Sequence, residues 1–108
     1  MPRILVVDDD PDVLTVLCRL AEVGGHTTVP ALGANMALAT PGPFDALLTD
    51  VNMPGTDGFE LAARLALPTV FVSALPPGEI PAGAVFLPKP LTSAGVAAAI
   101  AAVIGAAQ

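Results

Sequence analysis

The sequence predicts a doubly wound α/β fold, with five parallel strands in one sheet and helices on both faces. Three observations carry that expectation. Short, uninterrupted apolar runs such as Ile4–Val7 and Thr69–Val72 suit strands buried on both faces rather than strands with one wet side. Between them lie stretches with helix caps and helical spacing. The two kinds of segment alternate with short connections, as parallel strands joined by helical crossovers require. Residues 1–108 are read as a single domain, since the length suffices for one core and little else. With 54% hydrophobic and 13% charged residues, against a usual charged share of about 25%, disorder is excluded.

Taken in order, Ile4–Val7 is the first strand and stops abruptly at Asp8-Asp9-Asp10-Pro11. Asp10 before Pro11 reads as an N-cap with proline at the first helical position. In the helix that follows, Asp12, Thr15, Arg19 and Glu22 make a polar face, and Val13, Val16, Leu17 and Leu20 the opposing apolar one. Gly24-Gly25 ends it. His26–Val29 is the second strand, and Ala34–Ala39 a short second helix stopped before Pro41-Gly42-Pro43. Ala46–Thr49 is the third strand, ending in Asp50. A loop from Met53 through Asp57-Gly58 leads into a third helix over Phe59–Leu65, cut short by Pro68. Thr69–Val72 is the fourth strand, ending at Ser73, and Ala84–Leu87 the fifth, ending near Lys89-Pro90. Thr92 or Ser93 caps the last helix. Between Ser73 and Lys89, Pro76, Pro77 and Pro81 oppose a full fourth helix, so that helix is expected to be shortened or missing, with Ala74–Gly83 as a loop.

Ten acidic residues against four basic ones give a net charge of −6, which argues against nucleic acid and anionic membrane as partners. The one cysteine, Cys18, excludes an internal disulfide and a Cys-rich zinc site. No signal-peptide pattern opens the chain, so a cytoplasmic location is expected. The charge-free stretch from Leu91 to Ala107 is rich in alanine and slightly short for a membrane span. It reads as a terminal helix whose uncharged outer face meets a partner or a second copy, as in a homodimer through the C-terminal helix.

Open α/β sheets place their sites outside the carboxyl ends of the strands. Those ends carry Asp8 and Asp9, then Asp50, then Ser73, then Lys89, the only lysine in the chain. If the first and third strands are neighbours, three carboxylates converge. Each pair 4 Å apart repels by about 4 kcal/mol at an effective dielectric of about 20, so the cluster must take up protons or bind a cation. Hard oxygen ligands of this kind suit Mg²⁺ sharing a phosphate. A carboxylate such as Asp50 can act as nucleophile toward phosphorus, and a metal with an ammonium would screen the transferring group. Two calcium-loop look-alikes fail: Asp8-x-Asp10-x-Asp12 has Arg19 at its twelfth position, and Asp50-x-Asn52 has Leu61 where a bidentate Glu is required.

The runs Ile4-Leu5-Val6-Val7-Asp8-Asp9-Asp10-Pro11, Leu48-Thr49-Asp50-Val51-Asn52-Met53-Pro54-Gly55-Thr56-Asp57-Gly58, Val72-Ser73-Ala74 and Leu87-Pro88-Lys89-Pro90 together resemble a response-regulator receiver domain of a bacterial two-component system. The resemblance implies the flavodoxin-like strand order 2-1-3-4-5. It implies phosphorylation of Asp50 by a histidine kinase or a histidine phosphotransfer protein, which switches contacts with an unidentified downstream protein. By the same resemblance, Asp8, Asp9, Asp50 and the backbone carbonyl of Asn52 hold magnesium (Mg²⁺), Lys89 supplies countercharge, Ser73 is the switch hydroxyl and Phe86 the switch aromatic. Such a domain catalyses only its own phosphorylation and dephosphorylation. Asn52 and Leu75 occupy the positions that influence hydrolysis, and apolar Leu75 implies a slow one. Without a following basic segment or helix-turn-helix signal, a stand-alone receiver is expected. The alternative is a constitutive receiver-like interaction module that phosphorylation does not control.

Overall fold

The central strands are hydrocarbon on both faces, and the fold covers both. The computed structural model describes residues 2–74 and 84–106. Along them run β1 (Arg3–Asp8), α1 (Pro11–Val23), β2 (Thr27–Leu32), α2 (Ala34–Ala39), β3 (Ala46–Asp50), α3 (Gly58–Leu65), β4 (Thr69–Ser73), β5 (Val85–Pro88) and α4 (Ser93–Ala106). All strand pairs are parallel, in the order β2-β1-β3-β4-β5. That is the doubly wound arrangement the apolar runs predict. Among the described residues four helices accompany the five strands. Residues 75–83, which hold Leu75 and most of the Ala74–Gly83 segment, lie outside the described residues.

Alternation along the strands divides the core in two. Ile4, Val6, Leu48, Val70 and Val72 meet α1 through Leu14, Leu17 and Ala21, and α4 through Val96, Ile100 and Val103. On the other face Leu5, Val7, Leu47 and Phe71 meet Ala34 and Ala37 of α2 and Leu61 of α3. The Phe59 ring lies 4.7 Å from that of Phe71, tilted by 46°, a favourable offset arrangement for two aromatic quadrupoles. At the amino-terminal edge of the sheet, Arg3 fastens β1 to the start of β3. Its N–H donates to the Asp45 carboxylate at 2.7 Å, and the Asp45 N–H donates back to its carbonyl at 2.8 Å. Its guanidinium sits 5.0 Å from the centre of the Phe44 ring.

The caps follow the sequence. The Asp10 carboxylate accepts from the N–H groups of Asp12 at 2.8 Å and Val13 at 3.4 Å, with Pro11 opening α1. Asp57 caps α3 by accepting from Glu60 N–H at 2.8 Å, and the Thr92 hydroxyl accepts from Gly95 N–H at 3.0 Å at the start of α4. α3 therefore begins at Gly58, one residue before the expected Phe59. It ends with Ala66 at φ 54°, a left-handed stop usually given to glycine.

Several boundaries and one face differ from expectation. β2 starts at Thr27 rather than His26 and runs on through Pro30 to Leu32. Proline is accepted there because β2 is an edge strand, paired with β1 alone. β4 and β5 each reach one residue further, to Ser73 and Pro88, and β5 starts at Val85. On α1, Val16 is 54% exposed. The buried stripe is Leu14, Leu17 and Ala21, with Val13 and Leu20 flanking it. α4 turns its larger side chains inward and leaves Ala94, Ala98, Ala101, Ala102 and Gly105 outside, uncharged as the sequence requires. Among the described residues no helix is long and apolar enough to cross a membrane.

Leu17→Ala should cost about 3 kcal/mol of stability through transfer and cavity terms, while Val16→Ala should stay within about 0.5 kcal/mol. Urea unfolding of the two variants beside the parent checks the order; equal losses would put the α1 stripe elsewhere.

Candidate functional site

β1, β3 and β4 end side by side, and each ends on a polar residue. Asp8 is 1% exposed, Asp50 9% and Ser73 2%. The register pairs Val7 with Thr49 and Asp50 with Val72, so Asp8 and Asp50 follow the last β1–β3 pair together. Asp9 comes next on the rim, exposed. One carboxylate oxygen from each of Asp8, Asp9 and Asp50 lies within 4.8 Å of the others. The acidic run thus divides its labour: Asp10 caps α1, and Asp8 and Asp9 turn to the strand ends.

The cation comes from across the sheet. Lys89 Nζ stands 3.9 Å from Asp50 Oδ1. Its backbone N–H donates to the Ser73 carbonyl at 3.0 Å, which fixes the chain after β5 to the end of β4. The Asn52 side-chain amide approaches Ser73 Oγ at 3.5 Å, joining the loop after β3 to the same corner. Phe86 pairs in register with Phe71 and packs half-buried against the core cluster on the α2–α3 side. The structure therefore brings Asp8, Asp9, Asp50 and Lys89 together, sets Asn52 and Ser73 beside them, and gives Phe86 a core position on β5.

The loop after β3 is held close. Met53 is buried in the core, and Gly55 takes φ +77° to turn the chain. Gly58 N–H donates to the Val51 carbonyl at 2.9 Å, and a Cβ on Gly58 would collide with the Asp50 carbonyl oxygen. Asp57-Gly58 forms the turn and helix start that its sequence predicts. The close approach of Gly58 to the Asp50 backbone was not legible, because it depends on where α3 docks.

Burial dominates the electrostatics. It pushes the Asp8 carboxyl up to about 6, with the charges of Asp50 and Asp9 adding and the Asp10 N–H and Lys89 opposing. Asp50 is also raised by burial and by Asp9, against the pull of Lys89 and of the Val51 and Asn52 N–H groups. Asp8 Oδ1 accepts from Asp10 N–H at 2.9 Å. Its Oδ2 is buried with no hydrogen-bond partner, a costly state for a carboxylate oxygen. An unsatisfied buried oxygen beside two further carboxylates fits an oxygen-seeking divalent cation that keeps some of its waters.

The family described as response regulator receiver domain matches residues 4–75 of this chain. The chain is 40% identical over 75 residues to the transcriptional regulatory protein TcrA of Mycobacterium tuberculosis, covering 68% of this chain and 30% of TcrA. It is 35% identical over 82 residues to the protein PilH of Pseudomonas aeruginosa, covering 68% of each. Among solved structures, the receiver domain of the hybrid histidine kinase CckA superposes with a TM-score of 0.78 at 31% identity, covering 94% of this chain and 98% of that one.

Asp8 holds its proton more tightly folded than unfolded, so the folded state carries more bound protons from about pH 4 to 6. Metal-free stability should therefore fall as pH rises through that window and level off above it. At about 1.4 kcal/mol per pKa unit the drop is of order 2–3 kcal/mol. Chemical denaturation at pH 4, 5, 6 and 7 measures it, and Asp8→Asn should flatten the curve and raise stability at pH 7. A parent protein that gains stability from pH 4 to 7 would contradict the assignment.

Proposed function

Since the chain belongs to the response-regulator receiver family, we propose that Asp50 accepts a phosphoryl group from a histidine kinase or histidine phosphotransfer protein, with Mg²⁺ as cofactor. The modification switches contacts with a downstream protein. The observation that carries this reading is the convergence of Asp8, Asp9 and Asp50 within 4.8 Å, with the only lysine 3.9 Å from Asp50.

In the transfer, an Asp50 carboxylate oxygen bonds to phosphorus as the bond from phosphorus to the donor imidazole nitrogen breaks. Asp8, Asp9, Asp50 and the Asn52 carbonyl would hold the Mg²⁺, which neutralises charge on the incoming oxygens when bound. The Lys89 ammonium, 3.9 Å from Asp50 Oδ1, would pair with a phosphoryl oxygen once Asp50 carries the group. The Ser73 hydroxyl is a hydrogen-bond donor for another, and Phe86 is the aromatic that responds to it. Burial serves the nucleophile too, because a carboxylate stripped of water keeps its lone pairs for phosphorus.

A groove of about 390 Å³ adjoins the site and shares Lys89 with it. Val13, Val16 and Leu20 of α1 line one side, Pro90 and Leu91 the other. We assign this groove to the protein that delivers the phosphoryl group, since a donor imidazole must reach Asp50 while its own backbone rests nearby. The assignment gives the exposed Val16 a use that folding does not.

Intact mass after incubation with acetyl phosphate, with and without Mg²⁺ and beside Asp50→Ala, tests the proposal. One added phosphate that needs both Mg²⁺ and Asp50 is expected. No added phosphate, together with no binding of the beryllofluoride mimic, would overturn it in favour of a constitutive interaction module.

A further inference from the structure

β3 reads Ala-Leu-Leu-Thr-Asp, and its fourth residue is a hydroxyl where a doubly buried strand calls for hydrocarbon. Thr49 is 0% exposed, paired with Val7 of β1 on one side and Phe71 of β4 on the other. Its hydroxyl donates to the carbonyl oxygen of Asp50 at 3.0 Å. On the β1 side the ladder registers its last pair at Val7 and Thr49, so the Asp50 peptide lies past that pair there, while on the β4 side Asp50 is still paired with Val72. The same carbonyl oxygen is crowded from outside by Gly58, where a Cβ would collide with it. At the other end of that peptide unit, Val51 N–H donates to the Val72 carbonyl at 3.1 Å.

We propose that Thr49 is a positioning residue whose hydroxyl, with Gly58 behind it, fixes the plane of the Asp50–Val51 peptide and so the path of the chain from Asp50 to Asn52. The inference rests on the reading of Asp50 as phosphoryl acceptor. A peptide unit has one soft dihedral on either side; turning it swings both the Asp50 carbonyl and the Val51 N–H, and a turn on the Asp50 side carries Val51 and Asn52 with it. Gly58 blocks rotation one way, and the Thr49 hydroxyl resists it the other way by a hydrogen bond that water cannot replace at a buried position. A site group misplaced by about 1 Å can lose roughly 100-fold in rate, so a loosened peptide is felt in the chemistry through Asn52, whose carbonyl is the proposed metal ligand. Valine has the shape of threonine without the donor, and serine keeps the donor without the methyl group.

The test uses the full chain as wild type, Thr49→Val and Thr49→Ser, with Thr49→Ala standing in should the valine variant not fold. Amide hydrogen exchange is read at Val51, just after β3, against Leu48 in the interior of β3, and phosphoryl uptake from acetyl phosphate at saturating Mg²⁺. Removing the hydroxyl should speed Val51 exchange about tenfold more than Leu48 exchange. It should also lower the saturated uptake rate about tenfold with the half-saturating donor concentration unchanged. Serine should bring both back to within about twofold of wild type. An equal rise at Val51 and Leu48, or an uptake rate in Thr49→Val matching wild type, would overturn the role of Thr49. A wild type that takes up no phosphate would instead sink the acceptor reading, and the proposal with it, whatever the exchange contrast.

Discussion

Everything at the carboxyl edge of this sheet depends on the pairing of β1 with β3. That pairing puts Asp8 and Asp50 next to each other under cover, where neither ionises comfortably. It is secured far from the site, by Arg3 and Asp45 exchanging backbone and carboxylate hydrogen bonds at the opposite edge, and along its length by side chains with no exposure on either face. A slip of one residue would turn every inward side chain to the other layer. The register is thus overdetermined by hydrocarbon, and two reluctant carboxylates follow from it. The core holds the acids together against their own electrostatics, which is how a folded protein comes to keep a site that opposes its stability.

Much of this was legible in the amino-acid order because the signals were local. Doubly apolar runs, an Asp-Pro helix start and polar residues at strand ends each act within a few positions, and the structure uses them as written. What escaped depends on distant partners. The spacing of Val13, Val16, Leu17 and Leu20 is helical, but so is that of Leu14, Leu17 and Ala21, and only the sheet decides which stripe faces in. An alanine pressed against the sheet and a valine left outside invert the ranking that side-chain size alone suggests. The expected second strand stops at Val29, whereas β2 runs on through Pro30 to Leu32, which its place at the sheet edge allows. The crowding of Gly58 on the Asp50 carbonyl depends on how α3 docks, and composition is blind to that. Of the candidate site, the acids and the lysine are drawn together as their strand-end positions suggested. Phe86 is a core-packed residue whose further part is not written in its surroundings.

The two faces of the sheet also divide the work around the site. α1 and α4 share one core, and α1 carries both the cap that leaves Asp8 and Asp9 at the strand ends and the side chains of the adjoining groove. α2 and α3 share the other, and the loop into α3 brings Gly58 and Asn52 toward Asp50. The carboxylate cluster sits at the strand ends where the two halves meet, so it borders both layers.

Having one lysine gives the molecule an unusual spectroscopic simplicity. Isotope enrichment confined to lysine yields a single side-chain ammonium, and that ammonium lies 3.9 Å from Asp50 Oδ1 and is 31% exposed. Amine-directed reagents have the same narrow choice, since apart from the chain terminus their one target is this group. A surface crowded with lysines would bury such a signal among equivalents. Here the sparse basic composition turns one ordinary residue into a private reporter on the charge of its neighbour.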